Sequence, residues 1–179
     1  MNQVFAPLRS GRRARPLARS VAIDAAIVTS SAAAFAHLVA APGHYTWWLA
    51  AGVFFAVLGV GQLLYAYLLV RGIRNSWFLL AGIWGTVGVI LLYVVSRTIG
   101  VPGAPPVAVH GGRWVAGRSM VPNGAKYIGP LDLFTLVAEL VLVVTLVGTL
   151  PNRLKVRTVN HLMWIGLGLW GAAVVALVH

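Results

Sequence analysis

The stretch PLDLFTLVAELVLVVTLVGTL, residues 130–150, decides the fold class of this chain. It is an apolar run as long as the roughly 20 residues that a helix needs to cross the hydrocarbon core of a bilayer. Two acids, Asp132 and Glu139, lie inside it, although the whole chain has only three acids. Because an ionisable side chain at membrane depth is costly unless it is paired or hydrated, the stretch predicts both a transmembrane helix and a polar site.

The composition of the rest of the chain is also that of a membrane protein. Of the 179 residues, 59% are hydrophobic and 9% are charged, against about 25% charged residues in ordinary soluble domains. We therefore predict an all-α integral membrane bundle of five transmembrane helices, which forms a single domain at 20–179. The predicted spans are about 20–41, 47–70, 77–95, 131–150 and 159–178.

The segments between the predicted spans differ in composition. Pro42-Gly43 predicts the end of the first helix, and the aromatic residues of 45–48 suit a membrane–water interface. The connection 96–130 is rich in proline and glycine, so no spanning helix fits there. The first of these segments separates spans one and two, and the second separates spans three and four.

A basic arm, residues 1–19, precedes the first span. A basic segment followed by an apolar one also fits a secretory signal peptide, with Ala34-Phe35-Ala36 as its cleavage pattern. The apolar stretch is longer than the roughly 7–15 residues of such a peptide, so we interpret it as a span.

The positive charge of the chain predicts its orientation. The 14 lysines and arginines and three acids give a formal charge of +11. Because the basic residues lie between the apolar runs, we expect a lipid bilayer and no nucleic acid as their partner. With the N-terminus inside a bacterial plasma membrane and the C-terminus outside, the connection 96–130 is external. Four basic residues are then external, namely Arg97, Arg113, Arg118 and Lys126. Ten are cytoplasmic, namely Arg9, Arg12, Arg13, Arg15, Arg19, Arg71, Arg74, Arg153, Lys155 and Arg157.

Polar residues inside the spans predict a site in the outer half of the membrane. Seven residues are nearly two helical turns, so Asp132 and Glu139 share a face of their helix. Arg97 is the natural counter-charge for Asp132, which by itself also fits a charge near a helix N-terminus. We predict a cluster of His37, Arg97, Asp132 and Glu139, which is either a packing network or a proton-accepting site. The candidate supporting residues are His44, Gln62 and Thr135.

Metal and cofactor chemistry has no defining motif in this sequence. The absence of cysteine excludes disulfides and thiolate ligands. The candidate ligands of a copper site at the external surface are His37, His44, His110 and Met120. Their spacing matches no known ligand motif. His44 also need not share a helix face with His37, because Pro42-Gly43 lies between them. We predict no cofactor and leave copper and haem open.

The chain resembles a group of small multi-pass membrane proteins of high-GC Gram-positive bacteria over roughly residues 30–150. The resemblance is carried by the segments APGHYTWW (41–48), QLLYA (62–66), SRTIGVPG (96–103) and LDLFTLVAEL (131–140). It implies the same multi-span architecture and draws attention to Arg97, Asp132 and Glu139. It implies no substrate.

Motifs of common membrane enzymes are missing, since the sequence has no H-E-x-x-H, no Walker A loop and no G-x-S-x-G turn. We therefore expect a non-enzymatic protein, and first an accessory subunit or assembly factor that works with other membrane subunits or as a homo-oligomer. The alternative is a small proton or metal-ion transporter or channel that uses the intramembrane Asp, Glu and His. A membrane-bound redox or copper-associated component comes third.

Overall fold

The computed structural model describes the backbone of residues 16–98, 109–110, 113–114 and 129–178, and the side chains of 21–46, 48–96 and 129–171. Five helices contain nearly all of these residues, so the expected helical class is confirmed. The helices are α1 (Pro16–Trp47), α2 (Leu49–Val70), α3 (Ser76–Thr98), α4 (Pro130–Thr149) and α5 (Asn152–Val178).

Four of these helices are long and apolar enough to cross a membrane. Their outward surfaces carry large hydrophobic side chains, among them Val28, Val57 and Val144. Soluble proteins rarely expose continuous apolar surface of this kind, so the helices indicate a multi-pass membrane protein. The predicted span 159–178 falls on α5, which is not one of the four. The four membrane-spanning candidates within the described residues are Val21–Thr46, Leu49–Val70, Ser76–Ser96 and Pro130–Thr149.

Helix α1 lies at the centre of the bundle, because it packs extensively against both α2 and α4. Its middle is rich in small residues, of which Ala26, Ala33 and Ala34 are fully buried. Small side chains let helix backbones approach closely, which supplies packing that lipid chains cannot. On α2, a Cβ added to Gly59 would lie 2.9 Å from the carbonyl oxygen of Ala34. The α1–α2 contact therefore depends on small residues on both helices.

Residues at the α1–α2 contact recur every seven positions. Ser30, His37 and His44 form one stripe on α1, and Phe55 and Gln62 form the facing stripe on α2. A seven-residue repeat keeps one side of each helix against its partner, as in a left-handed coiled coil. The hydroxyl group of Ser30 donates a hydrogen bond of 2.9 Å to the main-chain oxygen of Gln62, which fixes the antiparallel register. We refer to these five residues as the α1–α2 seam.

The predicted helix break at Pro42-Gly43 is wrong. Helix α1 continues to Trp47, and one residue separates it from α2. The proline lacks an N–H and so removes the helical hydrogen bond that residue 42 would donate to the carbonyl oxygen of Leu38. The side chain of His44 donates from Nδ1 to a different carbonyl oxygen, that of Ala40, at 2.9 Å. Membrane helices tolerate proline and glycine more readily than soluble ones.

The turn between α2 and α3 is defined by main-chain geometry and one side-chain cap. Gly72 has a φ of +85°, and the N–H of Ile73 donates to the carbonyl oxygen of Leu68 at 3.0 Å. This is the Schellman ending of a helix, which requires a left-handed residue that glycine adopts without strain. The side-chain oxygen of Asn75 then accepts from the N–H of Phe78 at 2.9 Å and caps α3.

Helix α4 connects the remaining helices to α1. Leu142 and Leu146 of α4 pack with Ile23 of α1 and Ile83 of α3 in the buried core. Helix α5 has a much smaller contact with α4 than α1 or α3 has. It lies at the periphery of the described bundle.

The connection predicted at 96–130 contains a short antiparallel ladder, in which β1 (Val109–His110) pairs with β2 (Arg113–Trp114). Helix α3 extends into the first residues of this connection. Gly129 and Pro130 at the end of the connection are also described. Its other residues lie outside the described part of the chain, as do residues 1–15 of the predicted basic arm. Residues 16–19 of that arm belong to α1.

Candidate functional site

A buried pair of ionisable side chains joins α1 to α4. Nε2 of His37 and Oε1 of Glu139 lie 3.0 Å apart, within hydrogen-bond distance. His37 is 4% exposed and Glu139 is 2% exposed. The structure therefore brings two residues of the predicted cluster into direct contact, and we refer to them as the His37–Glu139 pair.

The His37–Glu139 pair lies inside both helices, away from the helix ends that are nearest to it. His37 precedes the end of α1 at Trp47 by ten residues, and Glu139 follows the start of α4 at Pro130 by nine. At a rise of 1.5 Å per residue, these separations are about 15 Å and about 13 Å. Each is close to half of the roughly 30 Å thickness of a hydrocarbon core.

The contact gives the pair a simple proton chemistry. With Glu139 ionised and His37 neutral, the pair has a charge of −1, and Nε2–H of His37 donates to Oε1. One added proton makes the pair neutral, either as a carboxyl group beside an imidazole or as a carboxylate beside an imidazolium. The contact therefore has room for one additional proton, on either group.

Phe55 connects the His37–Glu139 pair to His44. The Phe55 ring centroid lies 5.6 Å from the centroid of His37 and 4.2 Å from that of His44. The expectation that the two histidines need not share a face is wrong, because α1 is continuous between them and they are seven residues apart. His44 is only half-buried and lies toward the connection between α1 and α2.

Two further polar residues of the seam lie on the opposite side of the pair. Ser30 is about 10 Å from His37 along α1, by the rise of seven residues, and it is fully buried. Gln62 is 8% exposed, and its Oε1 accepts no hydrogen bond from the described part of the chain. A buried polar atom without a partner costs about 1–3 kcal/mol. Gln62 therefore places a hydrogen-bond acceptor in the seam at the expense of stability.

The second acid of α4 caps its own helix. Oδ2 of Asp132 accepts from the N–H of Gly129 at 3.2 Å, which agrees with the interpretation of this acid as a charge at a helix N-terminus. The hydroxyl group of Thr135 donates to the carbonyl oxygen of Leu131 in the same helix. The side chain of Arg97 lies outside the described residues. Asp132 and Thr135 thus make hydrogen bonds within α4 or to the residue before it, and neither bond involves His37 or Glu139.

The predicted metal ligands do not form a cluster in the described part of the chain, where no three His, Cys, Asp or Glu side chains gather closely enough to hold a metal ion. His37 and His44 both contact the Phe55 ring. The side chain of His110 and the whole of Met120 lie outside the described residues.

Sequence reasoning missed Phe55 and Ser30 as neighbours of the site. The signal that identifies them is spacing, since Ser30 precedes His37 by seven residues and Phe55 precedes Gln62 by seven. A seven-residue repeat marks the residues that face a partner helix, whatever their polarity.

Comparison of the chain with protein-family models, with curated proteins and with solved structures found no match.

Proposed function

We propose that this chain is a five-span protein of a bacterial plasma membrane, with its N-terminus inside and its C-terminus outside. The distribution of basic residues supports this orientation. The 27 residues of α5 extend for about 40 Å, which exceeds the roughly 30 Å of the hydrocarbon core. No charged residue follows Arg157, so the later part of α5 is suited to hydrocarbon.

The function that we propose is proton transfer across the membrane through the His37–Glu139 pair. The observation that carries this proposal is the 3.0 Å contact between two ionisable groups that are almost completely buried. Ionisable residues at membrane depth are rare and serve proton relays and ion pathways in pumps and transporters. Packing alone does not require them, because well-packed apolar residues of similar volume stabilise a buried contact equally well or better.

The proton moves between defined atoms. In the pair with a charge of −1, a proton binds to Nδ1 of His37, and Nε2 gives its own proton to Oε1 of Glu139. His37 is then neutral with its proton on Nδ1, Glu139 is a neutral carboxyl group, and the charge of the pair has risen by one. Release of the proton from Glu139 toward the opposite surface restores the carboxylate. Transfer of the His37 hydrogen from Nδ1 back to Nε2 through water then restores the starting tautomer, so that the pair can accept another proton.

Proton flux into liposomes tests this function. The purified protein is reconstituted with a pH-sensitive dye inside the liposomes, and a potassium gradient with valinomycin sets the membrane potential. We expect faster acidification than in protein-free liposomes and a loss of roughly tenfold or more with Glu139→Gln. The matched control is Asp24→Asn, which makes the same chemical change at an exposed position of α1.

Two results contradict the proposal. One is a wild-type rate no higher than that of protein-free liposomes. The other is an unchanged rate in Glu139→Gln, with thermal unfolding confirming that the variant is folded.

A second candidate is the accessory subunit, and the exposed aromatic residues of α5 favour it. Trp164 is 68% exposed and Trp170 is 70% exposed, and Trp170 lies near the centre of the proposed span, away from the interfaces that tryptophan prefers in lipid. Aromatic residues are enriched in protein interfaces. Two copies joined through α5 would bring the exposed Arg153 and Arg157 of each chain together. We therefore propose a helix of a different membrane protein, with acidic residues at its cytoplasmic end, as the partner.

Photo-crosslinking in native membranes tests this partner. A photoreactive residue replaces Trp170 or, as the control, Val144, which is also 70% exposed but lies on α4. We expect one discrete product with a second, acidic-flanked polypeptide from position 170 and none from 144. A product of twice the mass of this chain, or lipid adducts alone, would contradict the proposal.

A further inference from the structure

We propose that protons reach the His37–Glu139 pair from the end of the bundle where α1 meets α2, with His44 as the group that receives them and Phe55 as a movable barrier. The proposal rests on the proton transfer proposed above and adds to it a direction, an accepting residue and a gate.

The order of residues along the seam carries the proposal. His44, Phe55 and His37 follow one another from the α1–α2 connection toward the middle of the bundle, and the Phe55 ring contacts both imidazoles. Glu139 lies at the inner end of this row, in contact with His37. A proton that starts at the α1–α2 end therefore meets these groups in a fixed sequence.

The geometry of His44 suits a proton acceptor. Its Nδ1 lies 2.9 Å from the carbonyl oxygen of Ala40, and because a carbonyl only accepts, Nδ1 carries the hydrogen. Nε2 is then the nitrogen that gains and loses a proton. His44 is half-buried, whereas its neighbours Tyr45 and Thr46 are exposed. The residue therefore stands at the boundary between the surface and the seam.

Phe55 interrupts the path between the two histidines. A phenyl ring has no group that can bind or donate a proton. The histidines are seven residues apart, which is about 10 Å along the helix, and one hydrogen bond spans only about 3 Å. A proton can cross this distance only along two or more water molecules, and the Phe55 ring occupies their place.

The transfer is balanced without any reactant other than water. Nε2 of His44 takes a proton from water at the surface and becomes an imidazolium. When the Phe55 ring rotates aside, this proton passes through water to Nδ1 of His37, and His44 returns to the neutral form. The pair gains the proton that His44 loses.

Proton flux in the liposomes described above tests the route with three variants. Phe55→Ala is expected to raise the rate by roughly tenfold, because it removes the barrier. His44→Gln is expected to lower the rate by a similar factor, because an amide does not take up a proton. The matched control is Phe35→Ala, which removes a phenyl ring of α1 that is 67% exposed and is expected to leave the rate within about twofold.

Cysteine accessibility provides a second measurement that does not depend on transport. The chain has no cysteine, so His37→Cys introduces a single thiol at the position directly behind the Phe55 ring. A small membrane-impermeant thiol reagent is added from the α1–α2 side. We expect alkylation to be roughly tenfold faster when Phe55→Ala is also present and unchanged when Phe35→Ala is present.

The outcomes separate this route from the proposed function. A flux that requires Glu139 but is insensitive to both His44→Gln and Phe55→Ala overturns the route and leaves proton transfer standing. Wild-type flux equal to that of protein-free liposomes overturns proton transfer and the route with it. Equal alkylation rates with and without Phe55 overturn the gate.

Discussion

A double-mutant cycle on His37 and Glu139 tests the most specific contact in the bundle. The single variants are His37→Phe and Glu139→Leu, and the third variant combines them. Each single change removes one side of a 3.0 Å hydrogen bond whose two residues are 4% and 2% exposed. Solvent therefore cannot replace the missing partner. A buried polar group left in this state costs about 1–3 kcal/mol, so we expect each single variant to lower the free energy of unfolding by about 2 kcal/mol.

The double variant is expected to be much less affected than the sum of the singles. Apolar residues of similar size on both sides leave no unsatisfied group, and such replacements are often nearly neutral. We expect it to lie within about 1 kcal/mol of the wild type, which gives a coupling energy of about 3 kcal/mol. Interhelical hydrogen bonds in membranes average only about 0.6 kcal/mol, and the larger value follows from two ionisable groups in a buried site.

Reversible unfolding in mixed micelles, followed by circular dichroism, measures these free energies. The slope of the transition has to be the same in all four proteins for the comparison to hold. A coupling energy below about 0.6 kcal/mol would refute the reasoning, because it would show that the pair behaves as an ordinary interhelical hydrogen bond. Single variants as stable as the wild type would refute it as well.

The same unfolding assay checks three further predictions. Gln62→Leu is expected to raise the free energy of unfolding by about 1 kcal/mol, because it removes a buried amide oxygen without a partner; a decrease would show that Oε1 is satisfied in the membrane. Gly59→Ala is expected to lower the free energy of unfolding by roughly 1–3 kcal/mol, since the new Cβ would meet the Ala34 oxygen at 2.9 Å. A Cβ added at Gly61 has nothing within 4 Å, so Gly61→Ala is expected to be neutral or stabilising. Equal effects of the two changes would contradict the α1–α2 packing. Gly72→Ala is expected to cost about 1 kcal/mol at its φ of +85°; an unchanged transition would mean that the turn does not constrain this residue.

The helices and the His37–Glu139 contact differ in how they arise from the sequence. Long apolar runs predict helices directly, because a bilayer admits few alternatives to them. The contact of His37 with Glu139 could be predicted because both residues are costly to bury in a membrane. His37 lies ten residues before the end of α1 and Glu139 lies nine residues after the start of α4, so both lie at a similar distance from the same end of the bundle. Two costly groups at one depth stabilise each other.

The errors of the sequence interpretation have local physical causes. Proline and glycine together normally end a helix, but α1 continues through Pro42-Gly43 to Trp47. Membrane helices tolerate both residues in their interior, and the sequence does not distinguish such a helix from one that ends there. Phe55 was overlooked for a different reason. Its contacts with two histidines arise from the packing of α1 on α2, and a phenylalanine in an apolar span has no polarity to distinguish it.

The proposed position of the His37–Glu139 pair inside a membrane would have an electrical consequence. A membrane potential of 100 mV changes the energy of one charge that crosses the whole membrane by about 2.3 kcal/mol. A proton that reaches a pair midway across the membrane crosses about half of that field and gains or loses about 1.1 kcal/mol. Since 1.4 kcal/mol corresponds to a factor of ten, the occupancy of the pair would change about sixfold over this range of voltage. The proposed proton transfer would therefore depend on the membrane potential.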